Sequence, residues 1–232
     1  MKNKIIAVLT GAGISAESGI STFRDAGGLW EGHRVEDVAS PEGWYKNPGL
    51  VLDFYNKRRA QLHEVIPNRA HEALVLLEKK YSTYIITQNV DDLHERAGST
   101  NVLHLHGELK KVRSTGDERL LYPWEKDLNE GELCEKGFQL RPHIVWFGED
   151  VPALPMAAGI VDRADIVIII GTSMQVYPAA GLTRYARPDC RIFYVDPKPF
   201  VNHELQLAKN VEVIAQKATG GVVELVQRLL QE

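Results

Sequence analysis

His106 ends the apolar stretch Leu103-His104-Leu105-His106 and stands immediately before Gly107. An imidazole titrates near working pH, so a histidine at the end of a strand is well placed as a general base. His104 lies deeper in the same stretch and is the lesser candidate; an isolated histidine is more often structural. A second polar run, Gln88-Asn89-Val90-Asp91-Asp92, follows the strand-like Tyr84–Thr87. There Asn89 and Asp91 suit hydrogen bonds to ribose hydroxyls and a carboxamide, while Asp92 equally suits the cap of a following helix. A third feature is Thr10-Gly11-Ala12-Gly13-Ile14-Ser15-Ala16, just after the apolar run Ile5–Leu9. The spacing Gly11-x-Gly13-x-x-Ala16 fits a dinucleotide fingerprint, in which glycines permit a tight turn and close approach of the backbone to a ligand. The amides that follow would face an anion at a helix N-terminus. A glycine turn that merely joins strand to helix fits the same residues.

Four further groups can bear on a ligand. Phe23 and Arg24 close the first loop, where a ring can cover a ribose or nicotinamide face and a guanidinium can meet a phosphate or carboxylate. Tyr55 and Arg58, three apart, share a face if their segment is helical, and a phenol beside a guanidinium is a good carboxylate receptor. From spacing alone, a solvated surface pair is the commoner outcome. The segment Ile144-Val145-Trp146-Phe147-Gly148-Glu149 reads as extended and aromatic, able to pair its backbone with an extended peptide or to serve as an ordinary edge strand. Gly171-Thr172-Ser173 and Asp196 each follow an apolar run, which puts small residues, hydroxyls and a ribose acceptor at the same sheet edge.

The elements that must position these groups follow from hydrophobic patterning. Strands are expected at Ile5–Leu9, Tyr84–Thr87, Val102–Leu105, Ile166–Ile170, Ile192–Val195 and Val211–Ile214. Helical periodicity marks Leu50–His63, Arg69–Lys80, Ala179–Ala186 and Gly221–Leu230. Alternating strands and helices imply an α/β fold, a doubly wound parallel sheet of about six strands, with ligands at the strand C-terminal ends. The ordinary fingerprint requires an acidic strand end about 20 residues on, and none appears here. The loop is therefore followed by an insertion. The expected core takes residues 1–30, 68–107 and 144–232, and a smaller inserted lobe takes 31–67 and 108–143.

With 232 residues, a 44% hydrophobic fraction and a 25% charged fraction, the chain reads as an ordinary globular protein that can bury a substantial core. A net charge of −4 argues against nonspecific nucleic-acid binding as the main task. Two distant cysteines, Cys134 and Cys190, make no disulfide framework and suggest a reducing compartment. No apolar run reaches the ~18 residues of a membrane span and no signal-peptide pattern opens the chain, so a cytoplasmic protein is expected.

Taken together and in this order, GAGIS, TFR, QNVDDLHERAG, HLHG, VWFGE and GTS resemble the sirtuin family of NAD-dependent protein deacylases. The resemblance spans nearly the whole chain and implies one catalytic unit over residues 1–232, a Rossmann-like large domain, a smaller domain and an acyl-lysine tunnel between them. By resemblance, NAD contacts fall on Gly11, Ala12, Gly13, Phe23, Arg24, Gln88, Asn89, Asp91, Gly171, Thr172, Ser173 and Asp196, with Ala218 of KATGG at the adenine site. His106 matches the catalytic base, and Asn89 the residue that orients ribose and water. Val145, Phe147 and Gly148 match the peptide-binding segment. The Asp37-Val38-Ala39 and Phe54–Arg59 segments resemble the class III sirtuins, which remove succinyl and malonyl groups. In those enzymes an alanine widens the acyl pocket and Tyr and Arg bind the distal carboxylate, here Ala39, Tyr55 and Arg58.

Two departures stand out. Sirtuins usually carry a structural zinc held by two Cys-x-x-Cys pairs between the catalytic histidine and VWFGE. This interval holds only Cys134, with Val112-Arg113-Ser114 where the first cysteine belongs, and one thiolate cannot supply four soft ligands. No zinc is expected, and apolar contacts from Tyr122, Trp124 and Phe138 are expected to hold the small lobe instead. Asp196 also replaces the asparagine of many relatives. The resemblance implies NAD as co-substrate, acylated-lysine proteins or peptides as partners, and no nucleic acid or membrane. Nicotinamide, free lysine and 2′-O-acyl-ADP-ribose are the implied products. Two rivals use the same site: an ADP-ribosyltransferase and a catalytically silent NAD-binding regulator.

Overall fold

The computed structural model describes residues 3–21 and 29–232. Its centre grows from β1 (Ile5–Thr10), whose alternate side chains are buried on both faces. This strand runs into two 3₁₀ turns, Ala12–Ile14 and Ala16–Ser18, and not into the helix expected after the glycine loop. The reason is local: Ile14 N–H and Ser15 N–H close tight turns onto the carbonyls of Gly11 and Ala12, at 3.1 Å each. A short hairpin follows, β2 (Leu29–Trp30) with β3 (His33–Arg34), turning through Glu31 and Gly32 at φ of 50° and 82°. Three helices come next: α1 (Val35–Val38), α2 (Pro41–Lys46) and α3 (Pro48–Gln61). Ser40 and Asn47 cap the latter two by accepting from Gly43 N–H and Leu50 N–H, with a proline at each first helical position. A capping box of Asn68 and His71 then opens α4 (Arg69–Leu77).

The chain continues through β4 (Ser82–Thr87), α5 (Leu93–Ala97), β5 (Val102–His104), β6 (Gly107–Ser114), β7 (Leu121–Pro123) and β8 (Leu140–Ile144). It ends with α6 (Leu154–Arg163), β9 (Ile166–Ile170), a 3₁₀ segment Ala179–Tyr185, β10 (Arg191–Val195), α7 (His203–Leu207), β11 (Val211–Ile214) and α8 (Ala218–Gln231). Two expectations need correcting. Ala179–Ala186 is 3₁₀ rather than α-helical, and the sequence reading does not include α6, because the small residues Ala157, Ala158 and Gly159 fill its middle and only Ala157, Ile160 and Val161 are buried. Small residues blur a 3.6-residue hydrophobic period.

Six strands form one parallel sheet in the order β11-β10-β9-β1-β4-β5. One face packs Ile6, Val8, Ile168 and Phe193 beneath α4 and α8. The other packs Ala7, Leu9, Val167 and Tyr194 beneath α6 and the Ala179–Tyr185 turn. From β1 the chain first moves outward through β4 and β5, then returns across to β9. The direction of winding therefore reverses between β1 and β9, and the crevice at their C-terminal ends is the place where such sheets bind ligands.

A second, three-stranded antiparallel sheet, β7-β6-β8, shares an apolar cluster with α1–α3. Leu109, Val112, Leu128, Cys134 and Leu140 form its buried part, with Tyr122 and Trp124 half-buried against them. Phe138, expected to help hold this lobe, is 46% exposed and lies instead across Gly116. No described helix is long and apolar enough to cross a membrane.

Candidate functional site

At the winding reversal the first loop and the loop after β9 interlock. Gly11 N–H donates to Ile170 O at 3.0 Å and Gly13 N–H to Gly171 O at 2.8 Å. A Cβ on Gly13 would lie 2.6 Å from Gly171 Cα, and one on Gly11 2.8 Å from Gly171 O. The close approach that these glycines permit is thus to the Gly171 backbone itself. The expectation that the following amides face an anion is corrected for Ile14 and Ser15, whose N–H groups are spent within the turns. Gly171 needs its φ of 58°, which glycine adopts without strain. Gln88 Nε2 donates to Thr172 Oγ1 at 3.1 Å and so joins the end of β4 to the same loop. Ser173 Oγ accepts from Gln175 N–H, and Ala12 borders the crevice half-buried. Phe23 and Arg24 lie outside the described residues.

A buried polar chain runs under this loop. Ser15 Oγ donates to Asp91 Oδ2 at 3.0 Å and accepts from Asn89 Nδ2 at 3.1 Å. Asp91 also accepts from Leu93 N–H, yet burial raises its pKa. Ser15 holds the two polar residues of the β4 end in place. The sequence reading assigns Ser15 no role, since nothing in the glycine loop's spacing points to a partner 74 or 76 residues away. Farther along the edge, Asp196 is buried, accepts from Lys198 N–H at 2.8 Å and sits after β10. Ala218 begins α8, whose next residue Thr219 binds Glu17 of the first loop through backbone and side chain.

The two histidines of β5 and its exit behave differently. His104 faces Asn89 O at 2.9 Å through Nδ1 and Glu95 Oε1 at 2.8 Å through Nε2. Both partners only accept, so both ring nitrogens carry protons. Burial opposes that charge, but Glu95 and the Asn89 carbonyl outweigh it and raise the pKa. His106 has one such partner, Gln88 O, 3.1 Å from Nδ1. The carbonyl fixes the proton on Nδ1 and leaves Nε2 with a lone pair. Burial, resisted by the Gln88 bond, lowers the His106 pKa and keeps the ring neutral at pH 7. A neutral imidazole whose Nε2 has no hydrogen-bond partner among the described residues is a proton acceptor.

Beside His106 the Ile144–Glu149 segment leaves its sheet earlier than expected. β8 stops at Ile144, and Trp146–Glu149 form a turn with Gly148 at φ 93°. Val145 N–H donates to His106 O at 2.9 Å and Phe147 N–H to Ala39 O at 3.0 Å. The Phe147 amide is therefore already paired, which corrects the reading of this stretch as one open extended strand. Its side chain is half exposed, and Ala39 is buried against the same cluster as Tyr55.

Tyr55 and Arg58 do share a face of α3. Tyr55 is fully buried, and burial raises its pKa, so its hydroxyl stays protonated. Arg58 is largely buried over the Phe54 ring, with its side chain 18% exposed. Its Nη1 lies 2.9 Å from Glu31 Oε1, but neither Nη1 nor Nε makes an aligned hydrogen bond. A solvated surface pair would not be enclosed in this way. Two groups that sequence reasoning missed complete the wall. Trp146 Nε1 donates to Tyr55 Oη at 3.0 Å, and Glu149 accepts from Trp146 N–H, Arg113 and Arg141. No local pattern announces them, since Trp146 and Tyr55 are 91 residues apart.

The model of the Sir2 family matches residues 11–178. The chain belongs to the Sir2 family. A relative named NAD-dependent protein deacylase, from Helicobacter pylori strain J99, is 59% identical over 231 residues, covering 100% of this chain and 97% of its own. Among solved structures, a Sir2 homologue in complex with NAD superimposes with TM-score 0.86 at 40% identity, covering 99% of this chain and 90% of that one. A Sir2 protein bound to acetylated peptide gives TM-score 0.77 at 30% identity, covering 99% and 93%. The zinc that the sirtuin resemblance implies would need a converging set of ligands. Among the described residues no group of three or more His, Cys, Asp or Glu converges. Cys134, the one thiol of the lobe, is buried and donates to Ser114 Oγ at 3.2 Å.

Proposed function

We propose that this protein is an NAD-dependent protein-lysine deacylase that removes succinyl and malonyl as well as acetyl groups. Family membership and the name of the 59% identical relative support the NAD-dependent deacylase part. The observation that carries the acyl preference is Arg58, enclosed on the helix face that also bears Tyr55: its Nη1 is ion-paired with Glu31 at 2.9 Å, yet neither Nη1 nor Nε makes an aligned hydrogen bond. Enclosed guanidinium donors without aligned hydrogen bonds can take a further carboxylate.

The dinucleotide supplies an electrophilic ribose carbon and nicotinamide as leaving group. The chain's own residues do the rest. Gly11, Ala12, Gly13, Gly171, Thr172 and Ser173 line the dinucleotide crevice, Gln88 steadies it, and Asp196 and Ala218 border the adenosine end. Phe23 and Arg24 are assigned here from the motif alone. Asn89 and Asp91, locked by Ser15, orient the nicotinamide ribose and carboxamide. His106 Nε2 takes the proton from a ribose hydroxyl as that oxygen attacks the acyl group. Val145, Phe147 and Gly148 guide the lysine, and Ala39 leaves room for the longer acyl chain. The products are nicotinamide, free lysine and 2′-O-acyl-ADP-ribose, and residues 1–232 act as one catalytic unit whose smaller lobe takes 31–67 and 108–143.

The test is Arg58→Met assayed with NAD on succinyl-lysine and acetyl-lysine peptides. Charge-assisted hydrogen bonds contribute about 1.5–3 kcal/mol each, so kcat/KM for succinyl-lysine should fall at least roughly tenfold. The variant also leaves the Glu31 carboxylate without its cation, which repels a second carboxylate and adds to the loss. Acetyl-lysine should lose far less. Equal losses on both substrates would make Arg58 structural, and modification of the protein without release of lysine would favour ADP-ribosyl transfer.

A further inference from the structure

The carboxylate-receptor reading leaves open what sets the Tyr55 hydroxyl. Trp146 answers it. An indole N–H can only donate, so the 3.0 Å contact between Trp146 Nε1 and Tyr55 Oη makes the phenol oxygen an acceptor there. The phenol retains one O–H to place elsewhere, and no aligned acceptor for it is seen among the described residues. The indole is itself held on several sides. Its backbone N–H donates to Glu149 Oε2 at 2.7 Å, the Arg141 guanidinium lies 3.4 Å above its ring, and the Trp44 ring stands 5.8 Å away. Arg141 and Arg113 in turn both bind Glu149, at 2.8–3.2 Å. Trp146 is 2% exposed and Tyr55 0%, so water does not compete for either group.

We propose that Trp146 is a specificity-determining positioning residue. Its N–H occupies the acceptor side of the Tyr55 hydroxyl and commits the O–H to donate toward the distal acyl oxygen, which favours an acyl group ending in a carboxylate. This inference rests on the acidic-acyl reading of Tyr55 and Arg58.

Trp146→Phe keeps an aromatic ring and removes the N–H. A cleaner variant places 3-benzothienylalanine at position 146 by nonsense suppression, exchanging N–H for sulfur in a bicycle of the same shape. Both should lower kcat/KM for succinyl-lysine roughly three- to tenfold, the scale of one hydrogen bond, mainly through KM. Acetyl-lysine should lose clearly less than succinyl-lysine, so that the succinyl-to-acetyl ratio of kcat/KM falls. In a Tyr55→Phe background the same exchange should leave the succinyl-to-acetyl ratio unmoved, because the two residues act as one unit. A merely structural indole would cost both substrates alike and would add independently to Tyr55→Phe. That result, or an unchanged ratio in the benzothienyl protein, overturns the inference. If Tyr55→Phe and Arg58→Met themselves leave the ratio unmoved, the acidic-acyl reading has failed first.

Discussion

His104 and His106 are two residues apart on the same chain exit, yet their surroundings divide them into different chemistries. A carboxylate and a carbonyl bracket His104 and hold it charged, whereas a single carbonyl leaves His106 neutral with Nε2 unengaged. His106→Ala should therefore cut deacylation by ~10²–10⁴-fold, the usual contribution of a general base, while dinucleotide binding measured by calorimetry changes little. His104→Ala should instead lower stability. Near-normal turnover in His106→Ala would move the base elsewhere. The lowered pKa of His106, set by burial, also gives a sign: the acidic limb of kcat/KM should lie at lower pH than an ordinary histidine would give.

The β7-β6-β8 sheet makes its case as an element. Small lobes often depend on a metal for their folding energy, but this one buries Leu109, Val112, Leu128 and Leu140 against α3 and keeps its single thiol in a hydrogen bond. Arg59, buried at the base of α3, reinforces the docking by donating to Leu109 O at 2.9 Å and Lys126 O at 3.2 Å. The folded protein should therefore contain less than stoichiometric zinc by elemental analysis and keep its melting temperature in a chelator. One zinc per chain would show that a donor set outside this arrangement exists.

For the molecule as a whole, buried histidines link stability to acidity. His71 and His94 meet edge to face, ring centroids 4.9 Å apart, and leave Nε2 and Nδ1, respectively, without hydrogen-bond partners among the described residues. Burial lowers the His71 pKa to about 4 and His94 well below the ordinary value. The sign follows directly. Below pH 6.5 the unfolded chain takes up protons that these folded rings refuse, so stability falls with pH until about 4. His71 alone is worth about 3 kcal/mol across that window, at roughly 1.4 kcal/mol per pH unit. His104, with a raised pKa, works in the opposite direction and offsets part of the loss. Urea midpoints at pH 7 and pH 5 should differ measurably, and His71→Gln should flatten the decline. Equal midpoints at both pH values would contradict this linkage.

What the sequence determined by itself was local. Ile166–Ile170 and Val211–Ile214 are strands to the residue; the β-branched run of the first suits a central strand covered on both faces, whereas the second, at the sheet edge, is exposed at its two central residues. The helix face shared by Tyr55 and Arg58, and the polar ends of β4, β9 and β10, follow from spacing alone. The tertiary structure decided what lies beyond a few residues' reach. Gly13 abuts Gly171 because parallel pairing of β1 with β9 brings their C-terminal ends together. α6 hides in the sequence because the small residues Ala157, Ala158 and Gly159 fill its middle and leave only Ala157, Ile160 and Val161 buried. Trp146 reaches Tyr55, and Arg113 and Arg141 reach Glu149, only because the small sheet's register and its docking on α3 converge there. Side-chain pairs of that separation carry no periodic signal; burial and the geometry of packed sheets create them.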